Sequence, residues 1–395
     1  MGEMKQFSAS SPWIWRLTSV FTGAGCTFLG PFLPALHVMW QWQDRQIAAL
    51  VSFLFLGSFT GTLSLSSNLR RTLFVGSWTA CLGLLLFAFC VARGIGFPMT
   101  VASLLLLGFG LGQLMSSINL LVGTVDEHQR AGALAGIAAS FCVGAILAPI
   151  LTTVLVHRVS APMRLAIMAP GFLLPFLWAR NRHLPKYQNA VEIRRQPQQD
   201  LIFGWLAWGC IASFFIYGGV EACVANWMPL FATRYRLDVL GRAQWMTSLF
   251  WIGLSSGRIV LMRFSKISRV DGVLRASVLC SGLCLAWLLV EPTSTVLLCS
   301  CLIEGVCLGP IFPLLLSQSI GQGLSGRILS AALAACGLGA TIFPYLLGVA
   351  ATSWALRVGM ILPLAGLCVL LVLGWHRSST SFHVGRGAAQ LNSTE

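Results

Sequence analysis

Two carboxylates stand inside long apolar runs of the sequence. Glu221 lies in Ile216–Pro229, IYGGVEACVANWMP, and Glu304 lies in the run 294–318. If these runs cross a membrane, each carboxylate costs about 3 kcal/mol or more and must face a protein interior or a water-filled cavity. Such a group can carry a proton or bind a solute hydroxyl or amine. The alternative for both is a structural acid bonded to a neighbouring helix.

Aromatic and amide side chains flank Glu221. Tyr217 precedes it, and Asn226 and Trp227 follow it. Aromatic rings stack on the apolar faces of sugars and amides bond their hydroxyls, so this set suits a sugar or a related compound. Tyr and Trp also form belts at membrane interfaces, and that position fits Trp227 equally well. Trp251 lies in another apolar run and can face either a cavity or the core.

The composition places these residues in a membrane protein. Of the 395 residues, 56% are hydrophobic and 10% are charged, and the mean hydropathy is +0.79. Soluble domains carry about 25% charged residues. A spanning helix needs roughly 20 apolar residues. On this basis we predict twelve spans: 14–36, 47–67, 73–92, 98–122, 131–156, 161–179, 201–231, 240–262, 273–290, 294–318, 327–350 and 354–375.

The basic residues set the predicted orientation. Of the 26 lysines and arginines, 17 fall in segments on the side of the N-terminus and 8 in segments on the other side, while Arg258 lies within a span. This positive-inside bias predicts that both termini are cytoplasmic. The net charge of +14 therefore indicates topology and not a nucleic-acid partner. Abundant arginine, few lysines and short loops suggest a bacterial inner membrane.

The cysteines and histidines do not indicate a metal or a cofactor. The 13 cysteines are scattered through the spans, and their odd count and their spacing fit neither a disulfide framework nor a zinc site. No Ser/His/Asp set and no G-x-x-x-x-G-K-[ST] loop is present. We expect no enzyme activity, no cofactor and no ATP-driven step within this chain.

An internal repeat relates the two parts of the chain. Gly23 and Pro34 in span 1 match Gly218 and Pro229 in span 7, with an offset of 195 residues. Spans 5 and 11 repeat a Gly-Ala and a proline at the same offset. We predict an all-α membrane protein with two pseudo-symmetric six-helix bundles, the arrangement of major facilitator transporters. The predicted segments are 1–13 (cytoplasmic), 14–179 (first bundle), 180–200 (linker), 201–375 (second bundle) and 376–395 (cytoplasmic tail).

Spans 7 and 8 resemble a known branch of that superfamily. The stretches YGGVEACVANWMPLF and SLFWIGLSSGR are similar to the Y-G-x-E-x-x-x-x-x-W and F-W-x-G-x-x-x-G-R runs of fucose-permease-like transporters. GPIFPLLLSQS and GLGATIFPYLLG in spans 10 and 11 resemble the branch too. The resemblance implies proton-coupled sugar symport and favours Asn119 as a binding amide. Met115 stands where the branch is expected to carry an acid, so we expect the chemistry in the second bundle.

Three charged residues are candidates for gating. The resemblance assigns the Gly-Arg that ends at Arg258 to a gate region, although a guanidinium near a span end can also extend to the cytoplasmic surface. We favour gating or a structural role for Arg258 over solute contact. Asp126 and Arg130 lie between spans 4 and 5. They can form salt bridges between the bundles, or they can be solvated loop charges.

These observations predict a secondary active transporter that moves a small polar solute, a sugar or a related compound, by alternating access. The alternatives are an exporter of amphiphilic compounds, an uncoupled uniporter, and a membrane sensor or enzyme. The coupling ion is expected to be a proton carried by Glu221 and Glu304, and the protein is expected to be a monomer in the lipid bilayer. The predicted substrate-binding residues are Tyr217, Glu221, Asn226, Trp227, Asn119, Trp251 and Glu304.

Overall fold

The computed structural model describes residues 12–66, 68–123, 127–155, 158–180, 204–235, 240–263, 270–290, 294–322, 324 and 326–374. All regular structure within these ranges is helical. We number twelve helices in chain order: α1 (Pro12–Thr27 and Leu29–Trp40), α2 (Asp44–Leu63), α3 (Leu69–Arg93), α4 (Phe97–Gly123), α5 (Glu127–Val154), α6 (Ala161–Met168, Ala169–Leu173 and Leu174–Ala179), α7 (Gly204–Tyr235), α8 (Leu240–Arg263), α9 (Val270–Val290), α10 (Ser294–Leu308 and Ile311–Gly321), α11 (Gly326–Ser353) and α12 (Leu356–Gly374).

Most of these helices can cross a membrane. Within the described residues, ten are long and apolar enough to do so. The exceptions are α5, which offers the shorter apolar stretch Gly136–Thr152, and α8. The all-helical architecture agrees with the predicted fold class. The chain is an integral, multi-pass membrane protein.

Prolines explain where the helices are interrupted. Pro31 has no N–H to donate to the carbonyl group of Thr27, and α1 bends at Phe28, between its two segments. The two segments of α10 meet at Gly309-Pro310. In α6 a short 3-10 segment that contains Pro170 separates the two α-helical parts. Neighbouring helices let a membrane helix tolerate such breaks.

The repeat in the sequence corresponds to a repeat in packing. A Cβ atom on Gly23 would lie 2.1 Å from the carbonyl oxygen of Phe141, and one on Gly218 would lie 2.2 Å from that of Cys336. Both members of the second pair follow the first by 195 residues, so α1 crosses α5 as closely as α7 crosses α11. Equivalent glycine contacts join α2 to α4, through Gly57 and Gly108, and α8 to α10, through Gly253 and Gly305. Small residues at these crossings allow the close approach of membrane helices.

The most extensive contacts between the two halves join three pairs of helices. Helix α2 packs along α11, α5 packs along α8, and the second segment of α1 packs against α7. The third contact lies at the end of the molecule where α1 and α7 finish. We call this the outer end, because the charge distribution predicts that it faces away from the cytoplasm.

Candidate functional site

Tyr217 and Glu221 form a hydrogen-bonded pair on α7. They are four residues apart, which places them one above the other on the same face of the helix. The phenol O–H of Tyr217 donates to the carboxylate of Glu221. Tyr217 is buried, whereas Glu221 is half-buried. The pair is positioned by the tight crossing of Gly218 on Cys336 of α11. Glu221 is therefore held by its own helix and is not fully buried.

Arg258 of α8 completes this group of polar side chains. Its guanidinium faces Tyr217 and the Glu221 carboxylate and interacts with them electrostatically, but among the described residues it lies beyond ion-pair distance of Glu221. Its Nη1 also lies 3.9 Å from the sulfur of Cys142 on α5. Three helices, and both halves of the molecule, thus contribute to one group. We call Tyr217, Glu221, Arg258 and Cys142 the central cluster. The predicted residues Tyr217, Glu221 and Arg258 are brought together by the fold.

Aromatic rings lie near the central cluster. The ring of Phe312 on α10 lies 5.8 Å from that of Tyr217. Trp251 of α8 meets Phe141 of α5 edge to face at 5.8 Å. Trp251 is buried, and its indole N–H has no hydrogen-bond partner among the described residues. Because Trp251 and Arg258 are seven residues apart, they lie on the same side of α8, about 10 Å apart along its axis.

Glu304 lies in a different place from Glu221. It is 1% exposed on α10, and its Oε1 accepts a hydrogen bond of 2.5 Å from the hydroxyl of Ser281 on α9. Its other oxygen has no partner among the described residues. The next residue, Gly305, packs on α8. Glu304 therefore faces α9 within the second half, and among the described residues it shares no partner with the central cluster.

Asn226 and Trp227 belong to the packing of α7 against neighbouring helices. The amide of Asn226 donates to the carbonyl oxygen of Ala222 at 2.9 Å, within its own helix. A Cβ on Gly30 of α1 would lie 3.2 Å from Asn226 Cα, and one on Gly348 of α11 would lie 3.2 Å from the ring of Trp227. Both side chains are buried. The structure therefore does not bring them to the central cluster.

The other predicted residues are not part of the central cluster either. Asn119 on α4 has an exposed side chain, and no hydrogen bond joins it to the cluster within the described part of the chain. Arg130 lies in α5, where the structure describes the backbone and not the side chain. Asp126 lies outside the described residues.

A charged group at the outer end was missed by the sequence prediction. Arg234, in the last turn of α7, forms a bidentate salt bridge with Asp44 at the start of α2. Its Nη2 also lies 3.2 Å from Nε2 of His37, near the end of α1. Asp44 and Arg234 are 190 residues apart in the chain. In the sequence, His37 near the end of α1 and Asp44 at the start of α2 are the only hint of this group. Arg234 joins them only in the folded protein.

The outer end is closed by these side chains and by backbone packing. The backbone N–H of Arg45 donates to the Thr352 hydroxyl of α11 at 2.8 Å. A Cβ on Gly348 would lie 2.1 Å from the Cβ of Ala48. The helices of the two halves thus touch at the outer end, beyond the central cluster.

No metal centre is formed by the described residues, in which no group of three or more His, Cys, Asp or Glu side chains is placed to hold a metal ion. The polar chemistry of the site is that of one carboxyl group, one guanidinium, one phenol and thiols. These groups can bind a polar solute and exchange a proton.

Comparison with known families identifies the architecture. The profile of the Major Facilitator Superfamily matches residues 17–344. The chain belongs to this superfamily. Its members are membrane transporters, which confirms the prediction that the protein is a transporter and not an enzyme. No curated relative matches the sequence.

Solved structures share the fold of this transporter at low sequence identity. A peptide transporter, POT, in complex with sulfate has a TM-score of 0.76 at 13% identity, over 97% of this chain and 99% of that chain. A D-xylose–proton symporter gives 0.73 at 13%, over 92% and 96%. FucP, in the outward conformation, gives 0.62 at 15%, over 94% and 99%. These likenesses establish the fold, and the fucose-permease-like branch stays a prediction.

Proposed function

We propose that the protein is a proton-coupled secondary transporter of a small organic solute, with Glu221 as the proton carrier. The observation that carries the proposal is the central cluster. It is the place where a half-buried carboxyl group of α7 meets, through Arg258, a side chain of the opposite half. A change in the charge of Glu221 there acts on groups that both halves contribute.

Alternating access follows from the contrast between the outer end and the centre. The outer end is closed by the Asp44–Arg234 pair and by Gly348 against Ala48. Opening it requires these contacts to break and the halves to rock about the central cluster. We infer that the structure represents the inward-facing side of the cycle. Asp44 and Arg234 then form the outer gate, and Asp126 and Arg130 stay predictions for the inner one.

The nature of the solute is the next question. A sugar needs several amide or hydroxyl partners, yet Asn226 is bonded within its helix and Trp227 is packed against α11. Aromatic rings lie beside Tyr217, at Phe312, and on the side of α8 that carries Arg258, at Trp251 and Phe141. This observation favours the alternative of an amphiphilic compound, with a polar head at the central cluster and an apolar body on the rings. Sugar transport stays the prediction that the family resemblance makes.

Glu304 has a different proposed role. Its carboxyl group lies between α9 and α10 and bonds to Ser281, away from any surface that the halves share in the described structure. We propose that it is a neutral, hydrogen-bonded structural acid and that Glu221 alone carries the coupling proton. An unpaired charge at this depth would be costly.

We propose a bacterial inner membrane as the location, with both termini cytoplasmic, and a monomer as the working unit. The excess of arginine and lysine in the segments predicted to be cytoplasmic supports the orientation. Both halves of the molecule that contribute to the central cluster belong to the same chain, so the site needs no second copy of the protein.

The test is uptake by purified protein in proteoliposomes. The panel contains a pentose, a hexose, an aromatic carboxylate and an aromatic amine, each with and without an imposed proton gradient. We expect the gradient to accelerate uptake of at least one compound more than about 10-fold, and Glu221→Gln to abolish this acceleration. If every transported compound ignores the gradient and Glu221→Gln transports normally, proton coupling at Glu221 is wrong.

A further inference from the structure

The charge of the central cluster depends on one proton. With Glu221 ionised, its negative charge balances the positive charge of Arg258. The titratable groups that face them from the neighbouring helices are Cys142 of α5 and Cys336 of α11, both thiols. When Glu221 takes up a proton, the cluster is left with one uncompensated positive charge. Such a charge in an apolar interior is unfavourable unless an anion pairs with it.

The guanidinium is suited to bind that anion. Arginine presents five N–H donors in a planar fork that matches a carboxylate. Among the described residues its Nη1 lies 3.9 Å from the sulfur of Cys142, a weak acceptor, and it interacts electrostatically with Tyr217 and, beyond ion-pair distance, with Glu221. A proton on Glu221 removes the carboxylate charge that faces the guanidinium. The donors of Arg258 then become available to a ligand.

The surroundings of Arg258 specify the rest of the ligand. Phe141 and Trp251 form an aromatic wall on the same side of α8 as the guanidinium. The buried indole N–H of Trp251 lacks a partner among the described residues. It stands about 10 Å from Arg258 along the helix. A ligand with a charged end at Arg258 and an apolar body toward Trp251 fills both requirements.

From these contacts we infer that the solute is a small organic monoanion, with a carboxylate that binds Arg258 and an apolar or aromatic body. The inference rests on the proposed role of Glu221 as proton carrier. Binding of the anion and protonation of Glu221 then favour each other, because each compensates the charge of the other. One proton and one anion cross together, and no net charge moves.

The experiment measures binding and proton uptake together. Wild-type protein in detergent is titrated with 3-phenylpropanoate, with its neutral amide and with 3-phenylpropylamine, in a weakly buffered solution with a pH indicator. We expect the carboxylate to bind and to draw about one proton per molecule from solution, and the amide and amine to bind at least 10-fold more weakly. Glu221→Gln should bind the carboxylate without proton uptake.

The variants at Arg258 separate charge from packing. Arg258→Gln should weaken carboxylate binding about 10-fold to 100-fold, as expected for loss of a charge-assisted hydrogen bond. Arg258→Lys keeps the charge and loses the planar fork of donors, so its affinity for the carboxylate should lie between those of wild type and Arg258→Gln. Arg93→Gln, an exposed arginine at the end of α3, is the matched control and should bind as wild type does. Melting temperatures show that each variant is folded.

Two outcomes would overturn the inference. One is that the amine or the amide binds as tightly as the carboxylate; the other is that carboxylate binding is unchanged in folded Arg258→Gln and Arg258→Lys. Failure of the proposed function has a different signature. In that case the carboxylate binds Arg258, while uptake into proteoliposomes ignores the proton gradient in wild type and in Glu221→Gln alike.

Discussion

Glu221 and Glu304 are two acids of the same half, yet their surroundings differ. Glu221 bonds to Tyr217 and interacts with Arg258, which in turn reaches Cys142 of the opposite half. Glu304 bonds to Ser281 on the adjacent helix, with α8 packed against the neighbouring Gly305. The first acid lies where the halves meet, and the second lies inside one half.

This difference predicts that Glu221 affects proton coupling, whereas Glu304 affects the stability of the protein. A charge that faces the other half can change the energy of one conformation relative to the other, because the contact is made in one and broken in the other. A group inside one half moves with that half as a rigid body, so its contacts are the same in both conformations. We expect the first kind to affect transport and the second kind to affect folding.

The largest expected effect on transport is at Glu221. Glu221→Gln should lower gradient-driven uptake more than about 10-fold, because the carrier of the coupling proton is lost. Solute exchange without a gradient should persist, since it needs no net proton movement. Glu304→Gln is the matched variant and should keep gradient-driven uptake within about twofold. Equal losses in both variants would mean that the position of an acid relative to the other half does not matter.

The salt bridge at the outer end extends the comparison to a second contact between halves. Asp44→Asn and Arg234→Gln should each change the uptake rate several-fold, because each weakens the closed outer end. Coupling between neighbouring charges is typically about 0.5 to 3 kcal/mol. Exchanging the two charges, Asp44→Arg with Arg234→Asp, should restore the rate toward wild type. A double variant slower than both single variants would argue against an ion-pair gate.

The smallest effect on transport is expected at Ser281. Ser281→Ala removes the donor to Glu304 and should lower the stability of the protein by about 1 to 3 kcal/mol. The melting temperature should fall, and the uptake rate per folded molecule should stay at the wild-type value. Ser319→Ala, a change at another buried serine of the same half, provides the reference for loss of a hydroxyl. A change in proton coupling of Ser281→Ala would place Glu304 in the transport machinery after all.

The sequence predicted the helices and the repeat because both depend on local patterns. Runs of about 20 apolar residues are sufficient to predict spans. The glycines at an offset of 195 residues proved to be close crossings, as at Gly23 and Gly218. Tyr217, Glu221 and Arg258 were also found in advance. They stood out because polar and charged side chains are costly inside apolar spans and are therefore rare there.

The tertiary structure decided which of these side chains meet. Sequence alone treated Glu221 and Glu304 alike, since both are single acids in apolar runs. The rotation of each helix sets Glu221 toward Arg258, which reaches the other half, and Glu304 toward α9. The sequence also could not predict the pairing of Asp44 with Arg234, because the two residues lie 190 residues apart. Apolar periodicity specifies which segments cross the membrane. The direction of a side chain among twelve packed helices depends on contacts between distant segments, and those exist only in the folded protein.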